Sequence, residues 1–222
     1  MASQARKAFD ENASDIKRLI DLHLKAGGDA RGRRYGLEVL NKSAIVLITA
    51  FWEAYCEDIA EEALRHIVEH SKDSASLPEE LKKQIAKEIK SKQHDLAVWE
   101  LSGDGWRTYL LDRFDQLTEN RNRKLNTPKT AQIDSLFLET IGIRQMSRHW
   151  KWPRKMTVPR ATEKLDKYVT LRGAIAHRGS DSKSVTKAQV TDYFEFIRSV
   201  VAKTGGAVNA HVRAATGKPL WE

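Results

Sequence analysis

Hydrophobic side chains recur along the chain at intervals of three and four residues, which is the spacing of one face of an α-helix. The strongest such stretch runs from about Tyr35 to His70. Its first half is apolar nearly all round, so this half should lie at the centre of the protein, whereas the second half turns amphipathic. No segment shows the two-residue alternation between hairpin turns that predicts a strand. The pattern therefore predicts an all-α protein.

Breaks in the pattern divide the rest of the chain into further helices. Two capping boxes, in which a Ser or Thr is followed three residues later by Glu or Gln, are predicted to start helices at Ser76 and Thr186. Gly27 and Gly28 are predicted to end the first helix. Besides the central one, helices are predicted at about residues 4–25, 79–94, 106–117, 133–141, 161–177 and 186–203.

The composition of the chain limits the cellular compartments and the classes of partner that are expected for it. The longest apolar run, residues 44–52, is far shorter than the roughly 20 residues that span a bilayer. The N-terminus has no apolar segment of a secretory signal. A single cysteine, Cys56, excludes an intrachain disulfide and a cysteine-based zinc cluster. These features predict a cytoplasmic protein, and the net charge of +8 favours a polyanionic partner such as nucleic acid.

Two segments far apart in sequence carry a recognisable pattern. Residues 50–61, AFWEAYCEDIAE, lie inside the central helix, and residues 165–179, LDKYVTLRGAIAHRG, lie near the end of a later one. Together they resemble the HEPN superfamily, and within it the RiboL-PSP-HEPN group. That group typically pairs an F-x-A-Y-x-E-D helix with a late R-x4-A-H helix end. The resemblance covers about residues 37–70 and 160–203.

The resemblance implies an HEPN-like antiparallel helical bundle with a peripheral helical insert. On this basis we expect a single helical domain over residues 1–203, with the insert at about residues 72–158. The remaining residues, 204–222, contain Gly205 and Gly206 near their start. They are predicted to form a loosely ordered C-terminal tail.

The resemblance also implies a metal-independent endoribonuclease that acts as a homodimer, with Arg172 and His177 as its catalytic pair. RNA carries its own nucleophile, the 2′-OH. An imidazole with an ordinary pKa of about 6.5 can accept that proton near neutral pH. A guanidinium can bind the phosphate through two nitrogens and stabilise developing charge. We therefore expect no metal and no other cofactor, 2′,3′-cyclic phosphate products, and no cleavage of DNA.

The spacing of this pair raises a geometric problem, because residues five apart on an ideal helix diverge by about 140°. Gly173 and Gly179 could loosen the helix near the motif. Alternatively, a two-fold dimer could place His177 of one chain beside Arg172 of the other. We adopt the second solution, which is the one the family is understood to use. The family often has a polar residue directly after the motif arginine, where this chain has Gly173.

Two charged residues near the motif are candidates for accessory roles. Glu53, on the central helix, could orient the side chain of Arg172 or His177. Arg178, directly after the histidine, could add a contact to phosphate. The alternative for the motif itself is structural, because basic side chains such as Arg172 and His177 are favoured at a helix C-terminus by the helix dipole.

A basic, aromatic-containing connection at residues 144–160 is a candidate RNA-binding segment. Its candidate contacts are Arg148, Trp150, Trp152 and Arg154, because aromatic rings can stack on bases while neighbouring cations bind phosphates. The alternative is a loop whose tryptophans pack against the core.

Other aromatic and histidine residues have simpler interpretations. Phe51, Trp52 and Tyr55 have the helical spacing of core residues. His66 and His70, four residues apart, could form half of a metal site, but no third ligand is evident near them in the sequence. We therefore predict no metal site at this pair.

The sequence leaves two main functional hypotheses and a third structural one. The first is a ribonuclease that acts on RNA as a toxin or host-defence effector and is restrained by an antitoxin or regulatory protein. The second is a catalytically silent HEPN-like module that binds nucleic acid, a nucleotide or a protein partner. The third is a purely structural dimerisation module.

Overall fold

The computed structural model describes residues 2–27, 37–91, 96–123, 127–152, 156–178 and 184–222. These residues form seven α-helices, three short 3-10 helices and no strand, which confirms the predicted all-α fold class. None of the described helices combines the length and the apolarity needed to cross a membrane. The α-helices are α1 Gln4–Gly27, α2 Glu38–His70, α3 Glu79–Ser91, α4 Gly105–Arg123, α5 Thr130–Ile141, α6 Val158–Arg178 and α7 Lys187–Thr216.

Helix α2 is the centre of the bundle, as its apolar pattern predicts. It packs against α1, α4, α5, α6 and α7. Trp52 and Cys56 are completely buried and Tyr55 is almost so, whereas Phe51 is half-buried and packs on the same core. These aromatic residues of α2 are therefore core residues, and their burial contributes to holding the surrounding helices in place.

Helices α2 and α7 run parallel to each other. In each of the three hydrogen-bonded pairs that join them, the two residue numbers differ by 144 or 146. This nearly constant difference means that the residue numbers increase in the same direction along both helices, over more than three turns. Three buried hydrogen bonds join these elements: Asn41 Nδ2 to the Val185 carbonyl just before α7 (2.9 Å), Thr49 Oγ1 with the Tyr193 hydroxyl (3.0 Å), and the Tyr55 hydroxyl to the Val201 carbonyl (3.1 Å).

Helix α6 runs antiparallel to α7, and therefore also antiparallel to α2. Lys164 Nζ lies 2.6 Å from the Asp192 carboxylate. One turn later on α6, the Tyr168 hydroxyl shares its proton between the Asp192 carboxylate at 3.0 Å and the Gln189 carbonyl at 3.1 Å. The Tyr168 ring stacks on the ring of Tyr193, with 4.1 Å between centroids. These contacts position the C-terminal half of α6, which carries the R-x4-H motif.

Helix α7 begins at the predicted capping box. The Thr186 side chain accepts from the backbone of Gln189, and the Gln189 side chain accepts in return from the backbone of Thr186. The two contacts satisfy donors that the first turn of a helix cannot pair internally.

The capping box predicted at Ser76 is wrong. The Ser76 hydroxyl donates to Asp73 Oδ1 at 2.6 Å, so it belongs to a short 3-10 helix rather than to α3. The first backbone bond of α3 is accepted by the Pro78 carbonyl, so Pro78, two residues beyond Ser76, takes the capping position and the helix begins at Glu79. Asp73 is a stronger acceptor than a hydroxyl, and it competes successfully for the local donors.

The C-terminal tail predicted to be loosely ordered is instead helical to Thr216. Val208 and Val212 of this stretch are completely buried. Gly205 is helical, and a Cβ on it would lie 2.7 Å from the Tyr55 hydroxyl oxygen. This glycine is therefore needed for close packing of α7 on α2 and does not end the helix.

The segment predicted as an insert contains α3, α4 and α5. Leu81 and Ile85 of α3 are buried, and α3 packs on α5. Helix α5 in turn packs on α2 and contributes Phe137 and Ile141, both completely buried, to the core. The remaining positions of α3 are largely exposed, as expected for its Lys-rich face.

Candidate active site at the C-terminal end of helix α6

The R-x4-H motif lies on one continuous helix. Helix α6 passes through Gly173 and ends at Arg178. Loosening of the helix at Gly173 is therefore excluded, while Gly179 lies outside the described residues. On an uninterrupted helix, Arg172 and His177 leave the axis in directions about 140° apart. One chain alone does not direct both side chains to the same point.

Arg172 is partly buried and has an unsatisfied donor. Its Nε is shielded from solvent, and no acceptor among the described residues lies within hydrogen-bonding distance of it. An unpaired buried donor costs about 1–3 kcal/mol, more when the group is charged. A phosphate oxygen, or an acceptor from a second chain, would satisfy this nitrogen.

A pair of stacked tyrosines lies beside Arg172. Tyr168 precedes Arg172 by four residues and therefore shares its face of α6. Burial raises the pKa of Tyr193, whereas its hydrogen bond with Thr49 and the nearby Arg172 guanidinium act in the opposite direction. The phenol of Tyr193 thus stays neutral. The sequence reasoning did not identify these tyrosines, although the four-residue spacing of Tyr168 from Arg172 was a usable signal.

His177 is exposed to solvent in the last turn of α6. An exposed imidazole can accept or deliver protons and can be reached by a large substrate. Its place at the helix C-terminus also agrees with the structural alternative, because a cation is favoured there by the helix dipole. Arg178 is the last residue of α6, and its side chain lies outside the described part of the chain.

Glu53 lies away from the motif within one chain. Thr49, Tyr193 and Tyr168 are at the same level of the bundle. Glu53 lies one turn beyond Thr49 on α2, and Arg172 lies one turn beyond Tyr168 on α6. Because the two helices run antiparallel, these two turns lead in opposite directions along the bundle. The two positions are therefore separated by about two turns, or about 12 Å. Glu53 instead lines a small cavity with residues at the start of α5, which gives no support to the predicted orienting role.

The sequence as a whole matches a known family. The family described as RiboL-PSP-HEPN matches residues 10–210, which is most of the chain. The chain belongs to the RiboL-PSP-HEPN family. HEPN domains are often ribonucleases or nucleotide-binding modules. No significant match is found among curated proteins or among solved structures.

In this HEPN domain, Trp150 is a core residue. It is completely buried, and its Nε1 donates to Thr204 Oγ1 at 2.9 Å. Its ring packs edge-on against Trp52, with 5.8 Å between centroids. The prediction that Trp150 stacks on RNA bases is therefore wrong, and the packed-loop alternative holds for it.

The other candidate RNA contacts of the HEPN domain have different environments. Trp152 is half-buried, and its ring lies 6.3 Å from that of Phe196. Arg148 is exposed, so it is accessible to a phosphate. Arg154 lies outside the described residues.

The histidine pair on α2 forms a stack. The rings of His66 and His70 lie 4.2 Å apart with an interplanar angle of 12°. Within the described residues, no group of three or more His, Cys, Asp or Glu side chains is placed to hold a metal ion.

Proposed function

We propose that this HEPN domain is a metal-independent endoribonuclease whose catalytic residues are Arg172 and His177. The observation that carries the proposal is the R-x4-H motif at the end of α6 in a chain of this family. The exposed imidazole of His177 and the buried, unsatisfied guanidinium nitrogen of Arg172 support the same assignment.

The proposed reaction uses the substrate's own hydroxyl. His177 accepts the proton of the 2′-OH, and the 2′ oxygen attacks the adjacent phosphorus. Arg172 binds the phosphate and stabilises the charge that builds on its non-bridging oxygens. The bond between phosphorus and the 5′ oxygen breaks, and that oxygen takes up a proton. The products are a 2′,3′-cyclic phosphate and a 5′-OH, with no change in oxidation state.

The active unit in this proposal is a homodimer. Because Arg172 and His177 diverge on an unbroken helix, a two-fold axis near the end of α6 is the simplest way to bring one chain's histidine to the other chain's arginine. An acceptor from the second chain, or the phosphate that the dimer holds, would then pair with the buried Nε of Arg172.

The biological role that we propose is that of a toxin or host-defence effector. A nuclease that needs no metal and acts on RNA would damage its own cell unless it were restrained. A protein antitoxin or regulatory partner is the expected form of restraint, and the strongly basic surface suits an acidic partner as well as RNA.

The direct experiment is an RNA cleavage assay in the presence of EDTA. Wild type should cleave and leave cyclic-phosphate ends, while His177→Ala and Arg172→Ala should each lose activity by about 100-fold or more. Arg18→Ala is the matched control, because Arg18 is an exposed arginine on α1 and lies outside both the motif and the basic segment 144–160. Equal cleavage by wild type and both motif variants would refute the assignment.

One observation favours a second candidate function, a silent HEPN module that binds nucleic acid or a protein partner without cleaving. Gly173 provides no polar group at the position where the family often has one. A Cβ built on Gly173 meets nothing within 4 Å, so Gly173→Asn should fit without strain. If the missing polar group limits catalysis, this variant should cleave faster than wild type. A silent module would show no cleavage with either residue.

A further inference from the structure

A basic cleft lies between the C-terminal half of α7 and the connection that follows α5. It encloses about 760 Å³ and opens to solvent. One wall is the segment 142–151, and the other is the face of α7 that carries residues 202–211. A volume of this size falls within the range of cavities that hold small ligands such as nucleotides.

The polar side chains of this cleft are all basic. They belong to Arg144, His149, Lys151, Lys203 and His211, and no carboxylate lines the cleft among the described residues. The two lysines are both exposed to solvent. Such a concentration of one sign of charge in a concave surface raises the local potential for anions.

The charge of the cleft at neutral pH comes from its arginine and lysines. Burial lowers the pKa of His211, and also that of His149, which has Lys151 as a neighbouring cation. Arg144 lies 2.7 Å from Glu80, and hydrogen bonds from Arg144 and Lys83 together lower the pKa of the Glu80 carboxyl to about 2. Arg144 is thus held at the rim, while both lysines remain able to pair with a ligand.

Small residues give the cleft its depth. The lining of α7 includes Ala202, Gly206, Ala207 and Ala210, which leave the helix backbone accessible. A Cβ built on Gly206 meets nothing within 4 Å, so a longer side chain there would extend into open space at the cleft. The small residues therefore leave room for a ligand between the two walls of the cleft.

We propose that this cleft binds a phosphate-bearing ligand, either the backbone of an RNA strand or a free nucleotide. Lys151 and Lys203 would pair with phosphate oxygens from opposite walls, and Arg144 would contact them from the rim. His149 would add a hydrogen-bonding group to the lining, whereas the Nε2 of His211 already donates to the Ile141 carbonyl.

The cleft is separate from the proposed catalytic site. Gly206 lies thirteen residues along α7 from Tyr193, the tyrosine beside Arg172, which corresponds to about 20 Å. If the ligand is RNA, the inference rests on the proposed function, because the cleft would then hold the RNA substrate at a distance from the bond that is cleaved. If the ligand is a free nucleotide, the inference does not depend on whether the protein cleaves RNA.

The test is equilibrium binding of two probes to the full chain. One probe is a fluorescently labelled 2′-O-methyl oligoribonucleotide, which has a phosphate backbone but no free 2′-OH and so cannot be cut. The other is ADP, measured by titration calorimetry. The variants are Lys203→Glu, which reverses one charge, and Gly206→Leu, which fills the cleft without changing charge. Lys7→Glu, at an exposed lysine on α1, controls for net charge.

Each outcome decides the proposal. Oligonucleotide binding weakened about tenfold by Lys203→Glu and Gly206→Leu, but not by Lys7→Glu, supports the RNA backbone as ligand. Loss of ADP binding alone in the same two variants supports a free nucleotide. Unchanged affinity for both probes, or equal weakening by Lys7→Glu, overturns the proposal. Because neither probe is cleaved, this result does not depend on whether the protein is a ribonuclease.

Discussion

Arg172 and His177 lie five residues apart on one uninterrupted helix, so their side chains point about 140° away from each other. The arginine is partly buried beside a stacked pair of tyrosines, and the histidine faces solvent. This divergence is the reason for which we propose a dimeric active unit, in which one chain supplies the arginine and the other the histidine.

The two adjacent glycines of α7 should respond in opposite ways to alanine. In Gly205→Ala the new Cβ would lie 2.7 Å from the Tyr55 hydroxyl oxygen. Overpacking costs about 1–3 kcal/mol, which we expect to exceed the roughly 1 kcal/mol gained in helix propensity. Gly206→Ala meets open space and should raise the free energy of unfolding. Urea denaturation measures both, and greater stability of Gly205→Ala would contradict the packing described for α7.

Replacement of Trp150 should affect stability and leave RNA binding unchanged. Trp150→Phe removes the indole donor to Thr204 and part of a completely buried ring, which should lower the free energy of unfolding by about 1–3 kcal/mol. RNA affinity per folded molecule should remain that of wild type. The readouts are denaturation and fluorescence anisotropy. A tenfold weaker affinity with unchanged stability would restore Trp150 as a base-stacking residue.

Asp192 should make a small, pH-dependent contribution to stability. Burial alone would raise the pKa of its carboxyl, but hydrogen bonds from Lys164 Nζ and the Tyr168 hydroxyl outweigh this and lower the pKa overall. A lowered folded-state pKa means that the contribution is present above the unfolded value of about 3.9 and is lost as pH falls through the folded value.

The corresponding variant is Asp192→Asn. Its carboxylate is half exposed and screened, so the cost at pH 7 should be only about 0.5 kcal/mol. The difference from wild type should shrink on going to pH 3, when the native carboxyl is becoming protonated. Glu195→Gln, on the same helix, is the control. A difference that grows as pH falls would show that the sign assigned here is wrong.

The helices could be predicted from the sequence because their apolar spacing reports directly on local structure. The all-round apolar first half of α2 required a central position, and Thr186 with Gln189 marked the start of α7. The same local reasoning failed at Gly205, since glycine is common at helix ends and its close approach to Tyr55 depends on a residue 150 positions away. At Ser76 it failed because Asp73 competes for the same donors.

The site was only partly predictable for the same reason. A local motif predicts Arg172 and His177 as candidates, but Tyr193, which lies near Arg172, comes from α7 and is bonded to Thr49 of α2. In the basic segment, the sequence showed which residues are aromatic or cationic but not which face the core, so Trp150 was misassigned. The cleft pairs Lys151 with Lys203, and no local pattern connects those two positions.

The central claim is tested most directly by mixed dimers that contain one Arg172→Ala chain and one His177→Ala chain. They can be purified by two different affinity tags and assayed for RNA cleavage with EDTA present. If each site takes its arginine from one chain and its histidine from the other, the mixed dimer contains one intact site and one site that lacks both residues. It should therefore have about half of wild-type activity. Both homodimeric variants should be inactive, because each of their sites lacks one of the two residues. An inactive mixed dimer beside an active wild type would contradict the composite site, and an inactive wild type would contradict the ribonuclease itself.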